Sequence, residues 1–122
     1  MNYASRAYAK TATETATPRQ LEANLLLNAA AKLQAVRDSW RDKKPAGLND
    51  AVLYNRRLWT VFIDAVIRDD NHLPVEVRSN IANIGTFVLG ETFSLMTKPR
   101  PEHLTSLIKI NRRIAAGLHR GA

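Results

Sequence analysis

Apolar residues recur every three or four positions through four long segments of this chain, and residues that break helices separate the segments. This spacing places the apolar side chains of each segment on one face of an α-helix. The pattern predicts helices over about residues 18–40, 48–68, 74–96 and 102–118. Because amphipathic helices bury their apolar faces against one another, we expect an all-α, single-domain bundle of about four helices over residues 1–122.

The start of the first helix has the clearest local signal. Thr17 can cap the free amides, Pro18 suits the first helical position, and Gln20 completes a capping box. Residues 1–16 before it are small, polar and aperiodic, with Tyr3 and Tyr8 as the bulky exceptions. We therefore expect these residues to form a flexible arm.

The second and fourth helices both carry an Asn-Arg-Arg triplet, at residues 55–57 and 111–113. At 100° per residue, Asn55 and Asn111 lie at the centre of their apolar faces. An unsatisfied buried carboxamide costs roughly 1–3 kcal/mol, so we expect the two asparagines to bond each other or a helix end. The alternative is that the arginines bind a phosphate, although no glycine-rich loop accompanies either triplet.

Two further features predict close packing. Leu53, Val61 and Ile67 add apolar surface outside the main stripe of the second helix, which we therefore expect to be the most buried of the four. Gly85 and Gly90 interrupt the third helix, and each costs up to about 1 kcal/mol relative to alanine. Close approach of a neighbouring helix, or a bend, would explain these glycines.

Composition limits the function. The 122 residues include no cysteine, carry a net charge of +7 and begin without the apolar core of a signal peptide, which fits a soluble protein of the reducing cytoplasm. The net charge is +4 over residues 1–47, −2 over residues 48–97 and +5 over residues 98–122. Binding to RNA through the basic end segments therefore stays open, although nucleic-acid-binding domains usually concentrate their positive charge on one face.

The residues that could support catalysis follow no known pattern. His72, His103 and His119 lack the spacing of a metal site, and we expect them to be solvated at the surface. Adjacent acids at Asp69 and Asp70 are typical of a turn. The sequence has no phosphate-binding loop, no nucleophile motif and no dinucleotide fingerprint. We therefore expect a protein that is not an enzyme and that has no cofactor or metal.

Three stretches in order, "NRRLWTVFIDAV", "NHLPVEVRSNIANIGTFV" and "LIKINRRIAAGL", resemble the FlaF family, the flagellar biosynthesis regulators of alphaproteobacteria. The opening "YASRAYAKTATETATPRQLEANLLLNAAAKLQ" resembles the start of the same family, so the resemblance covers nearly the whole chain. The positions that carry the family motifs, to which we assign a structural role, are Asn55, Arg56, Leu58, Trp59, Leu73, Pro74, Asn111 and Arg112.

The resemblance implies a small, cytoplasmic, all-helical protein that is not an enzyme and that is needed for flagellin production and export. Two hypotheses follow from it. In the first, the protein is a chaperone that binds flagellin. In the second, it regulates flagellin mRNA after transcription, directly or through the regulator FlbT. Neither hypothesis needs a membrane, and the sequence does not select an oligomeric state.

A chaperone needs apolar side chains that its own core does not use. The first helix offers Leu21, Leu25 and Leu27 outside its main stripe, next to the arm with Tyr3 and Tyr8. Apolar surface wider than one neighbour can cover usually marks an interaction site. We therefore predict that these five residues form the surface that binds flagellin.

Overall fold

The computed structural model describes residues 17–68 and 70–120, and this part of the chain holds four α-helices and no strand. Helix α1 spans Pro18–Asp38, α2 spans Leu48–Val66, α3 spans Val75–Thr97 and α4 spans Pro101–Arg120. The predicted all-α bundle is confirmed. Asp69 and the arm that contains Tyr3 and Tyr8 lie outside the described residues.

The four helices form a closed ring, in which consecutive helices pack against each other. Helix α1 also packs along α4, and this is the largest interface of the bundle, whereas the interface between α3 and α4 is the smallest. Short connections at residues 39–47, 67–74 and 98–100 make consecutive helices antiparallel. The ring is therefore tight around α1 and looser between α3 and α4.

The predicted stripes supply the core. Its buried side chains include Leu26 and Leu33 of α1, Trp59 of α2, Val88 of α3 and Leu104 of α4. Each of these side chains is at most 1% exposed. No helix among the described residues is long and apolar enough to cross a membrane.

Helix α1 begins as its sequence predicts. The backbone amide of Gln20 donates to Thr17 Oγ1 at 3.2 Å, and the Thr17 amide donates to Gln20 Oε1 at 2.9 Å, so both halves of the capping box are present. The helix ends at Asp38, two residues before the predicted Trp40. Trp40 lies beyond the helix but still packs, half-buried, against the core.

The expectation that α2 is the most buried helix is confirmed, because seven of its 19 residues are buried, the largest share among the four helices. The apolar residues outside its main stripe are nevertheless exposed. Its three additional apolar residues, Leu53, Val61 and Ile67, are 44%, 63% and 61% exposed. The reason is geometric, because α2 packs against α1 and α3 and reaches α4 only through its buried face, so its outer face has no neighbour. These side chains therefore contribute apolar surface rather than core.

The two glycines of α3 have different environments. A Cβ atom on Gly85 would lie 2.8 Å from Ile63 Cγ1 and closer still to its Cδ1, so α2 and α3 approach closely there. This agrees with the packing predicted for Gly85. A Cβ atom on Gly90 would meet nothing within 4 Å, so close packing does not explain that glycine.

The connection between α2 and α3 is fixed by Asn71 and Arg78. The Asn71 side chain donates to the Ala65 carbonyl at 3.1 Å and accepts from the Leu73 amide at 2.8 Å. Arg78 Nη1 donates to the Arg68 carbonyl at 2.6 Å, which satisfies a backbone acceptor just beyond the end of α2. These bonds hold Leu73 in the core, directly before the first turn of α3.

Candidate functional site

A concave surface of the bundle lies between α3 and α4, the pair of neighbouring helices with the smallest interface. We call it the α3–α4 groove. Its volume is about 600 Å³. The residues that line it are Arg19, Leu73, Pro74, Val77, Asn80, Ile81, Asn83, Ile84, Arg113, Ile114, Gly117 and Leu118.

The floor of the groove is apolar because it continues the core stripes of both helices. Val77, Ile81 and Ile84 recur at intervals of four and three along α3, while Ile114 and Leu118 are four apart on α4. Ile81 and Leu118 are buried, whereas the others are partly exposed. From Val77 to Ile84 the groove follows about 10 Å of α3, which is about two turns, and Leu73 and Pro74 extend it before the helix begins.

Gly117 keeps the α4 wall of the groove open. A Cβ atom built on it would meet nothing within 4 Å, and its backbone φ is not positive. A side chain there is therefore compatible with the helix and would project into free space beside the groove. Glycine costs about 1 kcal/mol relative to alanine in a helix, and here neither backbone conformation nor internal packing requires it.

The rim of the groove is basic and amide-rich. Arg19 and Arg113 line it together with Asn80 and Asn83, and no acidic residue belongs to the lining. Such a rim favours a ligand with an apolar face and carboxylate or carbonyl groups beside it.

A contact between histidine and glutamate positions the start of α3. His72 Nε2 lies 3.4 Å from Glu22 Oε2 of α1, at the end of the groove that Leu73 and Pro74 form. Burial raises the pKa of Glu22, and the nearby His72 and Arg19 oppose this rise only in part. The contact ties the loop before α3 to α1.

A second contact of the same kind holds the other end of α3. His103 Nδ1 lies 2.5 Å from Glu91 Oε2, which joins the C-terminal half of α3 to the start of α4. His72 and His119 are exposed as expected, whereas His103 is half-buried. In addition, His72 and His103 each face a carboxylate from another element. Helix α3 is held near both ends, and the groove lies along its N-terminal half.

The two asparagines meet in the centre of the bundle. Asn111 Nδ2 donates to Asn55 Oδ1 at 2.8 Å, and Asn111 Oδ1 accepts from Trp59 Nε1 at 2.9 Å. Asn111 Nδ2 also lies 3.4 Å from the Leu26 carbonyl oxygen. All three side chains are completely buried. The predicted contact between Asn55 and Asn111 is present, and it links α2, α4 and α1.

The other positions of the family motifs divide between the core and the surface. Leu58 is half-buried against the core, and Leu73 and Pro74 line the α3–α4 groove. Arg56 Nη1 lies 3.9 Å from Met96 Sδ, and Arg112 Nη2 lies 3.4 Å from Gln34 Oε1. No glycine lines either depression that contains Arg56, so these depressions lack the glycine-rich loop of a common phosphate site.

The leucines predicted to bind a partner do not lie in the groove. Leu25 and Leu27 are 46% and 39% exposed on α1, and Leu21 is half-buried. Their places at the surface agree with the prediction, but none of them lines the α3–α4 groove. Tyr3 and Tyr8 lie outside the described residues.

The sequence interpretation missed several residues of the groove. Val77 and Ile84 have the spacing of core residues, Arg113 was considered only for phosphate binding, and Gly117 was given no role. One available signal was Gly117, a glycine inside an otherwise strong helical pattern. Among the described residues, no group of three or more His, Asp or Glu could hold a metal ion.

The comparisons with known proteins agree with the resemblance seen in the sequence. The family model described as flagellar protein FlaF matches residues 4–118, which is most of the chain. No curated protein and no solved structure matches at a significant level. On the strength of the family match, the chain belongs to the FlaF family of flagellar proteins.

Proposed function

We propose that this protein is a cytoplasmic chaperone that is not an enzyme and that binds flagellin before export, supporting flagellin synthesis and secretion. Its membership of a flagellar family supports a role in making flagella. The observation that carries the binding role is the α3–α4 groove, with about 600 Å³ of space, an apolar floor and a basic rim.

The chemistry of flagellin suits such a groove. Unassembled flagellin has amphipathic terminal segments that are disordered until they become helical in the filament. A disordered amphipathic segment can fold as it docks its apolar face into a groove, with anchor residues three or four positions apart. The two turns of α3 along the floor can accept two or three such anchors. Docking would cover the apolar face that otherwise promotes premature association.

The test uses the full-length protein and purified flagellin, mixed and separated by size-exclusion chromatography, with the Kd measured by titration. Gly117→Trp places a large side chain at the open wall of the groove without touching the core. We expect it to weaken flagellin binding by at least about tenfold, equivalent to about 1.4 kcal/mol. The matched control is Gly90→Trp, at another helical glycine with free space, which lies outside the groove.

The predicted surface on α1 gives the competing location for the same function. Leu25→Asp and Leu27→Asp change exposed leucines that do not line the groove. We expect both variants to co-elute with flagellin like the unmodified protein. Loss of co-elution in these variants, with full binding by Gly117→Trp, would place flagellin on α1 instead. Normal binding by all of them would contradict both locations.

A second candidate function is regulation of flagellin mRNA, directly or through FlbT. The supporting observation is the outer side of α4, where Lys109, Arg112, Arg113 and Arg120 are all exposed. Binding of RNA through several such contacts weakens steeply as salt rises, whereas an apolar groove depends much less on salt. Titration of flagellin and of its mRNA leader at low and high salt separates the two functions.

A further inference from the structure

A second apolar surface lies on the opposite side of α3, where α3 meets α2. We call it the α2–α3 surface and define it by Leu53, Arg56 and Val61 of α2 with Leu89, Phe93 and Met96 of α3. Phe93, Val61 and Met96 are 67%, 63% and 50% exposed. Two depressions of about 480 and 300 Å³ share Arg56 and Thr60, so the surface is continuous.

Helix α3 itself separates this surface from the α3–α4 groove. Leu89 and Phe93 belong to the side of α3 that faces α2, whereas Asn80 and Ile84 line the groove beside α4. Residues 84 and 93 are nine positions apart. At 100° per residue, their positions lie about 180° apart around the helix axis. The two surfaces can therefore be occupied at the same time.

The α2–α3 surface has positive charge without matching acids. Its two depressions are lined by Arg56 and Arg57 and by no Asp or Glu. Arg56 Nη1 approaches Met96 Sδ at 3.9 Å, and a thioether is only a weak acceptor. Among the described residues, no carboxylate lies within ion-pair distance of Arg56 or Arg57.

We propose that the α2–α3 surface binds an amphipathic helix of a partner protein whose apolar stripe is flanked by Asp or Glu. Phe93, Met96 and Val61 would contact the stripe. Arg56 and Arg57 would pair with the flanking carboxylates. This is a second interaction, additional to the flagellin groove and independent of it.

Charge also distinguishes this partner from two other occupants. A symmetric contact with a second copy would bring the same arginines of both copies to one interface, between molecules of net charge +7. The chain's own residues 1–16 carry Arg6 and Lys10 against Glu14. Residues 1–16 and a second copy are both net positive, so neither occupant supplies the net negative charge that would complement the surface.

The test uses two synthetic helical peptides of about 18 residues, or five turns, with the same leucine stripe. Glutamates flank the stripe in one peptide and lysines in the other, and binding to the full-length protein is measured by fluorescence anisotropy. We expect the glutamate peptide to bind at least about tenfold more tightly. Arg56→Glu should remove or reverse this preference.

Two phenylalanines of α3 provide a matched pair of variants. Phe93→Ala should weaken binding of the glutamate peptide by at least about tenfold, since exposed aromatic anchors dominate such contacts. Phe87→Ala removes an exposed phenylalanine of the same helix outside the α2–α3 surface and should leave binding unchanged. Gly117→Trp should also leave it unchanged, which separates this proposal from that of the flagellin groove.

Several results would overturn the proposal. Equal affinity for the two peptides, or equal effects of Phe93→Ala and Phe87→Ala, would mean that the surface does not select an acidic amphipathic helix. A dimer in analytical ultracentrifugation that Phe93→Ala dissociates would make the surface a contact between copies of this chain. Binding of a short single-stranded RNA that requires Phe93 and Arg56 would make it a nucleic-acid surface.

Discussion

The two Asn-Arg-Arg triplets have the same sequence and the same place on their helices, yet their surroundings differ. Asn111 accepts from Trp59, donates to Asn55 and lies near the Leu26 carbonyl. Asn55 has only the contact with Asn111, and its buried Nδ2 has no acceptor among the described residues. The helical pattern fixes where each asparagine points, but the neighbouring helices decide how many partners it finds.

The arginines differ in the same way. Arg56 and Arg57 lie on the α2–α3 surface, whereas Arg112 faces Gln34 of α1. Arg113 lies on the rim of the α3–α4 groove. The same triplet therefore contributes to two different surfaces, because α2 and α4 have different neighbours around the ring.

The largest expected effect tests the role of Asn111. Asn111→Leu leaves the buried Trp59 Nε1 without its acceptor and removes the partner of Asn55. Each unsatisfied buried group costs about 1–3 kcal/mol, so we expect a loss of about 3 kcal/mol in the free energy of unfolding. Urea denaturation followed by circular dichroism measures this change. A loss below about 0.5 kcal/mol would show that the pair is not structural.

Asn55→Leu should have a smaller effect. It removes one hydrogen bond of Asn111, but it also removes the unpaired Asn55 Nδ2. These two effects oppose each other, so we expect a change of about 1 kcal/mol, at least about 1 kcal/mol less damaging than Asn111→Leu. The same denaturation experiment compares the two variants directly. Equal losses would mean that both asparagines depend on the shared bond alone.

The two triplets also show how much of the fold can be predicted from the sequence. Local signals were sufficient for the start of α1, where Thr17 and Gln20 cap the helix. Periodicity was sufficient to place Asn55 and Asn111 on apolar faces and to predict their contact. It could not reveal that Trp59 belongs to the same network, because that bond depends on how α2 and α4 meet.

The candidate site was less predictable, because it depends on a gap between helices. Val77 and Ile84 have the spacing of core residues, and only the small interface between α3 and α4 leaves them partly exposed. His72 and His103 gave no local sign of their glutamate partners, which lie on other elements. Spacing within one helix does not contain this information.

The second arginines of the triplets should differ in flagellin binding. Arg113→Glu reverses a charge on the rim of the α3–α4 groove, whereas Arg57→Glu makes the same change outside it. If flagellin presents acidic or carbonyl groups to the rim, we expect Arg113→Glu to raise the Kd about fivefold at low salt. Arg57→Glu should have no effect in the same titration. An equal loss in both variants would indicate attraction by overall charge rather than by the groove.

The first arginines should give the smallest effect of all. Arg56 is exposed beside a methionine sulfur, and Arg112 makes one 3.4 Å contact with an exposed glutamine. Arginine and alanine are both good helix formers, so Arg56→Ala and Arg112→Ala should each change the free energy of unfolding by less than about 0.5 kcal/mol. Because the two sites share no contact, the double variant should show the sum of the two changes. A loss above about 1 kcal/mol in either single variant would mean that the arginine stem covers core side chains. The contribution of that triplet to the stability of the protein would then come from the arginine as well as from the asparagine.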